Sequence, residues 1–218
     1  MTINKEGEVI VNVLSSESSL ELGIANRGTL EIKEVVEETE SGDADIYLEN
    51  ENGKISLTIN TAEDQKMLDV TDFQSDLIEF EERNDVTKIK IGLHSGRFSI
   101  EQGNIMALTD FSISINSKEN EFSLTTPSGN IFLSVLPVEA VESALRSKFI
   151  SRLTGEKIDL SIKDMGVLAY TVEGEKVLDV FNLFDYEIPV TAEVSAITGE
   201  ILSINGPEWF KIFGFLFS

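Results

Sequence analysis

The sequence predicts a mainly β protein in which one amphipathic helix separates a long N-terminal β region from a shorter α+β region. Segments in which apolar and polar residues alternate recur about every ten residues up to residue 136. Apolar residues with helical spacing follow directly after Pro137, and alternation then returns as far as residue 204. We therefore divide the chain into a β-rich domain at residues 1–136 and an α+β domain at residues 137–218.

The N-terminal domain begins with alternating segments at residues 3–14, 20–24 and 30–35, and the acidic stretch at residues 37–45 predicts an exposed loop. The Asn52-Gly53 pair predicts a β-hairpin, because both residue types accept the positive φ angles of a two-residue turn. Further strand candidates lie at residues 67–70, 77–80, 87–93, 97–101, 105–115, 121–125 and 131–136. Their spacing favours an antiparallel sandwich or meander and leaves a β-solenoid or a barrel open.

A single helix is predicted at residues 138–150. Pro137 suits its first turn, because the N–H group that proline lacks would have no partner there. Acidic residues lie near the predicted start and basic residues near the predicted end, which matches the helix dipole. Residues at three- and four-residue spacing form one apolar face, which must cover an apolar surface: Val138, Val141, Leu145 and Phe149.

Four alternating segments follow the helix, at residues 158–162, 167–173, 188–196 and 201–204. Period-two alternation indicates a sheet with one buried face, and one helix on that face is a stable arrangement. Four glycines are expected at the turns between these strands: Gly155, Gly166, Gly174 and Gly199.

The segments "AYTVEG" and "VSAITGEILSI" resemble a PepSY-type module, the small α+β domain of peptidase propeptides and of many extracytoplasmic prokaryotic proteins. The family pattern V-D-A-x-T-G-E-V is matched at Val194, Ala196, Thr198, Gly199, Glu200 and Ile201, with Ser195 where Asp is usual. The resemblance covers roughly residues 125–218, a region that is also similar to a group of prokaryotic surface-type proteins. It implies a binding, inhibitory or structural role more often than catalysis.

The composition restricts the classes of partner. The chain has 39 acidic and 17 basic residues and a net charge of −22, which argues against nucleic acid and anionic lipid as ligands. Cysteine is absent, which excludes disulfides, Cys-ligated metals and thiol catalysis. No stretch reaches the ~20 apolar residues of a membrane span. The polar start lacks a signal peptide, so we expect either a cytoplasmic protein or an extracytoplasmic one without its targeting segment. The resemblance favours the extracytoplasmic location.

The sequence predicts no catalytic, cofactor or metal residue. His94 is the only histidine, and its neighbours Ser95 and Gly96 indicate the end of a hairpin rather than a catalytic triad. Acidic residues near residues 43–51 include Asp45, Glu49 and Glu51, but they lack the spacing of a calcium-binding loop. Paired carboxylates are too numerous to identify a hydrolase site.

The C-terminal aromatic residues are the predicted partner contact: Trp209, Phe210, Phe213, Phe215 and Phe217. They are predicted either to pack into the core of the chain or to dock on a partner. We expect a non-enzymatic, extracytoplasmic binding or surface-structural protein that contacts another protein or a cell-envelope component. Two alternatives are a regulator or inhibitor of a peptidase and a carboxylate-based glycan hydrolase.

Overall fold

The computed structural model describes residues 2–3, 9–14, 35–40, 44–61, 65–73, 76–80, 88–117, 119, 121–163, 166–180 and 184–207. Within these ranges the protein is mainly β with one short helix, as the sequence predicts, and it contains eighteen strands. The strands are β1 (Thr2–Ile3), β2 (Val9–Leu14), β3 (Val35–Glu40), β4 (Ala44–Glu51), β5 (Lys54–Thr61), β6 (Gln65–Asp69), β7 (Asp76–Phe80), β8 (Ile89–His94), β9 (Arg97–Gln102), β10 (Ile105–Thr109), β11 (Ser112–Asn116), β12 (Glu121–Thr126), β13 (Gly129–Phe132), β14 (Arg152–Leu153), β15 (Lys157–Ile162), β16 (Leu168–Val180), β17 (Phe184–Ser195) and β18 (Ile201–Asn205). The helix α1 spans Pro137–Arg146.

The described strands form two sheets. The large sheet has twelve strands in the order β18-β17-β16-β15-β10-β9-β8-β7-β1-β2-β3, with β14 paired to β16. The small sheet has six strands in the order β13-β12-β11-β4-β5-β6. Pairing in the small sheet is antiparallel throughout. The large sheet is mixed, because β1 pairs with β7 and β10 with β15 in the parallel direction.

One hydrophobic core contains inward side chains from both sheets and from α1. In the large sheet, an apolar row crosses five strands through Ile78, Ile91, Ile100, Ala107 and Ile158. Two residues further along β15, a second row continues through Leu160, Tyr170, Val194 and Ile201. The large sheet therefore presents one continuous apolar face, as the alternation of its strands requires.

The strands after the predicted boundary at residue 137 extend the same large sheet. Met106, Ala107 and Leu108 of β10 pair with Lys157, Ile158 and Asp159 of β15. The α+β region that the sequence predicts as a separate sheet is joined to the N-terminal strands by this parallel ladder. The division into two domains at this position stays a prediction.

Helix α1 is shorter than predicted and has a different apolar face. Its buried residues are Pro137, Ala140, Val141 and Ala144, and Val138 and Leu145 pack against the core more peripherally. Lys148 has a φ of 62°, which ends the helical path after Arg146. Phe149 therefore lies beyond the helix and is 42% exposed, so its predicted place on the apolar face is wrong.

Local turn chemistry accounts for the confirmed hairpins. Asn52 and Gly53 both have positive φ between β4 and β5, and Ser95 and Gly96 do so between β8 and β9.

Three other predictions need correction. Residues 105–115 form two strands, one in each sheet, because the chain turns at Asp110 and Phe111. Residues 37–40 belong to strand β3 rather than a loop, and Gly174 lies inside strand β16.

Candidate contact surface

The predicted aromatic contact residues lie outside the described part of the chain, which ends at Pro207 just after β18. The role of Trp209, Phe210, Phe213, Phe215 and Phe217 as a partner contact stays a prediction. The described residues contain a different, partly exposed surface on the small sheet, which we consider as a contact site.

The outer face of the small sheet carries a single cross-strand row of side chains, which we name the outer row. Each member is paired with the next across neighbouring strands, from one edge of the sheet to the other. The outer row consists of Phe132, Ser123, Ser114, Tyr47, Thr58 and Met67. Because neighbouring strands are about 4.8 Å apart, five steps give the row a length of about 24 Å.

Alternation along the strands explains why these residues face outward. In β4 the buried residues Ile46 and Leu48 flank Tyr47, and in β11 the buried residues Ile113 and Ile115 flank Ser114. Successive side chains of a strand point to opposite faces, so burying the isoleucines and the leucine turns Tyr47 and Ser114 away from the core. The same pleat orients the remaining members of the row.

The outer row combines apolar ends with a polar centre. Met67 is 69% exposed and Phe132 is 59% exposed, on the two edge strands β6 and β13. Between them lie the half-buried side chains of Ser114, Ser123 and Tyr47, and Thr58, which is buried at 5% exposure. Scattered exposed apolar residues are ordinary, but here the two lie at opposite ends of one uncharged row. The row therefore offers apolar and hydrogen-bonding contacts on one surface.

Amide and carboxylate groups flank the outer row. On one side the cross-strand partners are Gln65, Asn60, Asp45, Asn116 and Glu121. The Oδ1 atom of Asn60 is buried without a hydrogen-bond partner, a condition shared by the Thr171 hydroxyl of the large sheet. Buried polar atoms ordinarily have a partner, so these two atoms are exceptions, and the burial of Asn60 Oδ1 keeps it out of reach of a ligand on the surface.

The other flank of the outer row contains Asp69, whose carboxylate is already hydrogen-bonded and ion-paired within the protein. Asp69 accepts hydrogen bonds from the Thr71 hydroxyl at 2.6 Å and the Thr71 N–H at 3.1 Å, and it lies 3.3 Å from Lys54 Nζ. The hydrogen bond from the Thr71 side chain is the main reason that the pKa of Asp69 is lowered. Asp69 is therefore kept ionised, which makes it a poor general acid.

A shallow depression beside this flank has a volume of about 570 Å³ and is lined by Asn52, Gly53, Lys54, Asp69, Val70, Thr71, Asp72 and Phe73. A carboxylate-based hydrolase needs one carboxyl group that is protonated and a second one across a cleft. The ionised, paired state of Asp69 does not supply the first of these groups.

The outer face of the large sheet differs, because opposite charges are paired there. Lys90 contacts Asp76 at 3.1 Å and Glu101 at 3.7 Å, and Arg152 contacts Glu175 at 2.6 Å and Glu187 at 2.7 Å. Exposed pairs of this kind add little stability individually, but they neutralise the basic side chains. Lys90 and Arg152 on this face are therefore already paired within the protein.

Arg97 joins three strands of the large sheet. Its Nε donates to Asp110 Oδ1 at 2.8 Å, and its Nη2 donates to Asp159 Oδ1 at 2.8 Å and to the Leu108 carbonyl at 3.3 Å. Burial alone would raise the pKa of Asp159, but hydrogen bonds from Ser161 and Arg97 outweigh it and lower the pKa. The cluster is internally satisfied and holds β9, β10 and β15 together.

His94 lies at the end of β8, beside the predicted hairpin turn. Its Nε2 atom is 2.8 Å from Lys157 Nζ, and Ser95 belongs to the turn itself. A catalytic histidine needs a nucleophile at one ring nitrogen and an orienting carboxylate at the other. The contact with Lys157 provides neither group at Nε2.

The described acidic residues do not converge on a cation. Asp45, Glu49 and Glu51 lie along β4 rather than in a loop, and Asp43 is outside the described residues. Across the described residues, no group of three or more histidine, aspartate or glutamate side chains is arranged to hold a metal ion. Within the same part of the chain, no helix is both long enough and apolar enough to cross a membrane.

Comparison of the chain with known protein families, with curated proteins and with solved structures gives no match. The outer row was not predicted from the sequence, although one signal was present. The segments "ISLTI", "SISIN" and "EFSLT" place serine and threonine at every second position between buried apolar residues. The register that brings them into one row depends on pairings between distant segments.

Proposed function

We propose that this protein is a non-enzymatic binding or surface-structural protein that works outside the cytoplasm and contacts an extended partner through the outer row. One observation carries the proposal: an uncharged row of hydroxyl groups with a central tyrosine ends in two strongly exposed apolar side chains. Tyrosine and exposed apolar residues are typical of contact surfaces, because their burial contributes much of the binding free energy.

The shape of the surface favours an extended partner over a small molecule. Small ligands bind in concave pockets that enclose most of their surface. The outer row instead crosses one face of a six-stranded sheet, with Phe132 and Met67 exposed at its two ends and Thr58 buried. An extended polymer or a flat partner surface can contact several members of such a row at once.

Binding to the cell envelope tests this proposal. The purified protein is incubated with the envelope fraction of its source organism and the bound fraction is measured after sedimentation. We expect the substitution Ser114→Glu to weaken binding about tenfold or more, because it places a bulky charge at the centre of the uncharged row. The matched control is Thr191→Glu, on the outer face of the large sheet.

Equal binding by wild type and both variants would mean that the outer row is not the contact surface. Loss of binding in the control alone would assign the contact to the large sheet. A truncated variant that ends at Pro207 tests the aromatic contact predicted from the sequence. If only this truncation abolishes binding, the predicted aromatic residues rather than the outer row carry the function.

The alternative role as a peptidase regulator depends on the resemblance to a PepSY-type module. Its support is the order of α1 and four antiparallel strands, with the Thr198-Gly199-Glu200 turn between β17 and β18. The ladder between β10 and β15 weighs against an independently acting module, because it ties these strands into the large sheet. Inhibition of a peptidase by the full chain would favour this alternative.

A further inference from the structure

We propose that copies of this chain assemble head to tail, with the edge strand β6 of one copy pairing antiparallel to the edge strand β13 of the next. The small sheet then continues from copy to copy. This inference goes beyond the proposed function, because it concerns the two edges of the small sheet and names a second copy of the chain as their partner. It follows from the backbone groups at the two edges, from the register in which these edges match and from their charge.

The edge strand β13 directs two sets of backbone groups away from the sheet. The Leu133 N–H, just after β13, donates to the Phe122 carbonyl of β12 at 2.8 Å. Residues of an antiparallel pair alternate between those that bond to the neighbouring strand and those that do not. The N–H and C=O groups of Asn130 and Phe132 therefore point away from β12. Among the described strands, none lies on that side of β13.

The edge strand β6 at the other end of the sheet has the same arrangement. The Val70 N–H, just after β6, donates to the Ile55 carbonyl of β5 at 2.9 Å. By the same alternation, the backbone groups of Met67 and Asp69 point away from β5, toward a side on which no described strand lies. Each edge is therefore a template on which another strand can pair.

Strand direction and register allow one edge to complete the other. Every pairing in the small sheet is antiparallel, so the six strands alternate in direction and β6 runs opposite to β13. A second copy in the same orientation thus brings its β6 antiparallel to β13 of the first. With Met67 opposite Phe132, the outward backbone groups of the two residues can exchange two hydrogen bonds. Asp69 then lies opposite Asn130 and forms a second pair of the same kind.

The same register matches apolar side chains on both faces of the sheet. On the outer face it joins Met67 and Phe132, the two most exposed large apolar side chains among the described residues. On the inner face it places Leu68 opposite Ile131, and both of these are only partly buried against the core. Pairing the edges therefore removes apolar surface from water on both faces, which stabilises the association.

The two edges lack the usual protection against pairing. Natural edge strands are commonly blocked by several charges, by proline or by a bulge. Strand β13 contains no ionisable residue, β6 contains one charge of each sign, at Lys66 and Asp69, and both strands pair in a continuous register. The net charge of −22 on each copy still opposes association. We therefore expect assembly to strengthen with ionic strength, because salt screens this repulsion.

Joining two different edges produces an open assembly. One β6 edge and one β13 edge stay unpaired at the two ends, so further copies can add without closing a dimer. The twist of the sheets rotates each copy relative to the last, which makes the polymer a helical filament. Only a short stretch of each edge pairs, so each contact is weak and requires a high protein concentration.

Disulfide trapping tests the register, because the chain contains no cysteine of its own. Opposed residues of a hydrogen-bonded antiparallel pair have Cα atoms about 5.5 Å apart, a distance that a disulfide can span. We expect a double variant with Met67→Cys and Phe132→Cys, mildly oxidised at about 1 mM protein in high salt, to give a ladder of linked dimers, trimers and longer species. Non-reducing electrophoresis measures this ladder.

The matched control combines Met67→Cys with Leu202→Cys, which places the second thiol at an exposed residue of β18 in the large sheet. This pair should give far fewer linked species. Equal ladders from the two double variants would overturn the proposed register.

Sedimentation velocity tests assembly without a covalent link. The wild-type protein should sediment faster as protein and salt concentrations rise, whereas Phe132→Glu should remain monomeric because it places a charge at the paired edge. The control Leu202→Glu should assemble like the wild type. Thermal unfolding checks that each variant folds, and Met67→Glu replaces Phe132→Glu if that variant does not. A protein that stays monomeric under all these conditions, or that stops at a dimer, would overturn the proposal.

The variant Ser114→Glu separates this proposal from the proposed function. It changes the centre of the outer row and neither edge, so it should weaken envelope binding and leave assembly unchanged. Envelope binding that depends on Ser114 without any assembly would overturn the head-to-tail contact alone. Assembly that persists while envelope binding is independent of Ser114 would support the contact between copies and overturn the proposed function.

Discussion

At position 174 a glycine is required because of a contact that the surrounding sequence does not reveal. It lies inside β16, opposite Leu153 of β14. A Cβ atom at this position would lie 2.4 Å from Ile150 Cγ2 and 2.5 Å from the Arg152 carbonyl oxygen. Glycine is therefore required for the close approach of β14, and the turn predicted at this position from the sequence is wrong.

We expect Gly174→Ala to lower the free energy of unfolding by about 1–3 kcal/mol, because the added methyl group meets a backbone carbonyl that cannot move aside freely. Gly155→Ala is the matched control, since a Cβ atom there meets nothing within 4 Å. Its effect should stay within about 0.5 kcal/mol. Urea denaturation measures both variants, and equal stabilities would show that β14 does not approach β16 this closely.

Asp159 makes the stability of the large sheet depend on pH. Its pKa in the folded protein is lowered from the ordinary value of an aspartate, because hydrogen bonds from Ser161 and Arg97 outweigh burial. A carboxyl group of this kind stabilises the fold above its unfolded pKa, and the contribution is lost as pH falls through the folded pKa. The stability difference between wild type and Asp159→Asn should therefore be larger at about pH 6 than at about pH 2.5. A difference that is the same at both pH values would contradict this role.

At the scale of single residues, the sequence predicts those conformations that are set by local chemistry. The positive φ angles of Asn52, Gly53 and Gly199 were expected, because each occupies a tight turn that favours such residues. Contacts between segments that are distant along the chain produce no comparable local pattern in the sequence. The role of Gly174 and the pairing of His94 with Lys157 depend on strands that meet only in the folded sheet.

At the scale of elements, helix α1 is positioned by groups at its N-terminal end. The Leu136 N–H donates to Glu139 Oε2 at 2.8 Å, and the Val138 N–H donates to Gln102 Oε1 of β9 at 3.1 Å. The Tyr170 hydroxyl donates to the Val135 carbonyl at 2.7 Å, just before the helix, and burial raises the pKa of this tyrosine. These bonds satisfy helix and loop groups that would otherwise lack partners, and they anchor α1 to the large sheet.

The corrected apolar face of α1 predicts unequal effects of two truncations. Val141→Ala removes buried methyl groups and should lower the free energy of unfolding by about 1–3 kcal/mol. Phe149→Ala removes a larger side chain that lies beyond the helix and is exposed, so its cost should stay below about 1 kcal/mol. Chemical denaturation of the two variants decides the point. A larger loss of unfolding free energy for Phe149→Ala than for Val141→Ala would contradict the corrected apolar face and support the one predicted from the sequence.

Elements were easier to predict than their arrangement. Alternating segments identified most of the described strands, because a half-buried strand needs an apolar residue at every second position. The partners of those strands were not predictable in the same way. The sequence does not encode locally that β10 pairs with β15 in the parallel direction, or that β4 lies between β5 and β11. The outer row depends on these partners, which is why it was missed.

At the scale of the whole molecule, the two sheets have different outer faces. The large sheet pairs its charges in clusters such as that of Arg97, Asp110 and Asp159. The small sheet instead keeps an uncharged row with two exposed apolar ends. This difference leads to the central claim that the small sheet makes the contact with the partner, while the large sheet does not.

Amide hydrogen exchange of the protein, free and bound to the envelope fraction of its source organism, tests that claim most directly. We expect slower exchange on binding in the strands that carry the outer row, β4, β5, β6, β11, β12 and β13, and little change in the large sheet. Protection confined to the large sheet or to residues after Pro207, with the small sheet unchanged, would contradict the claim.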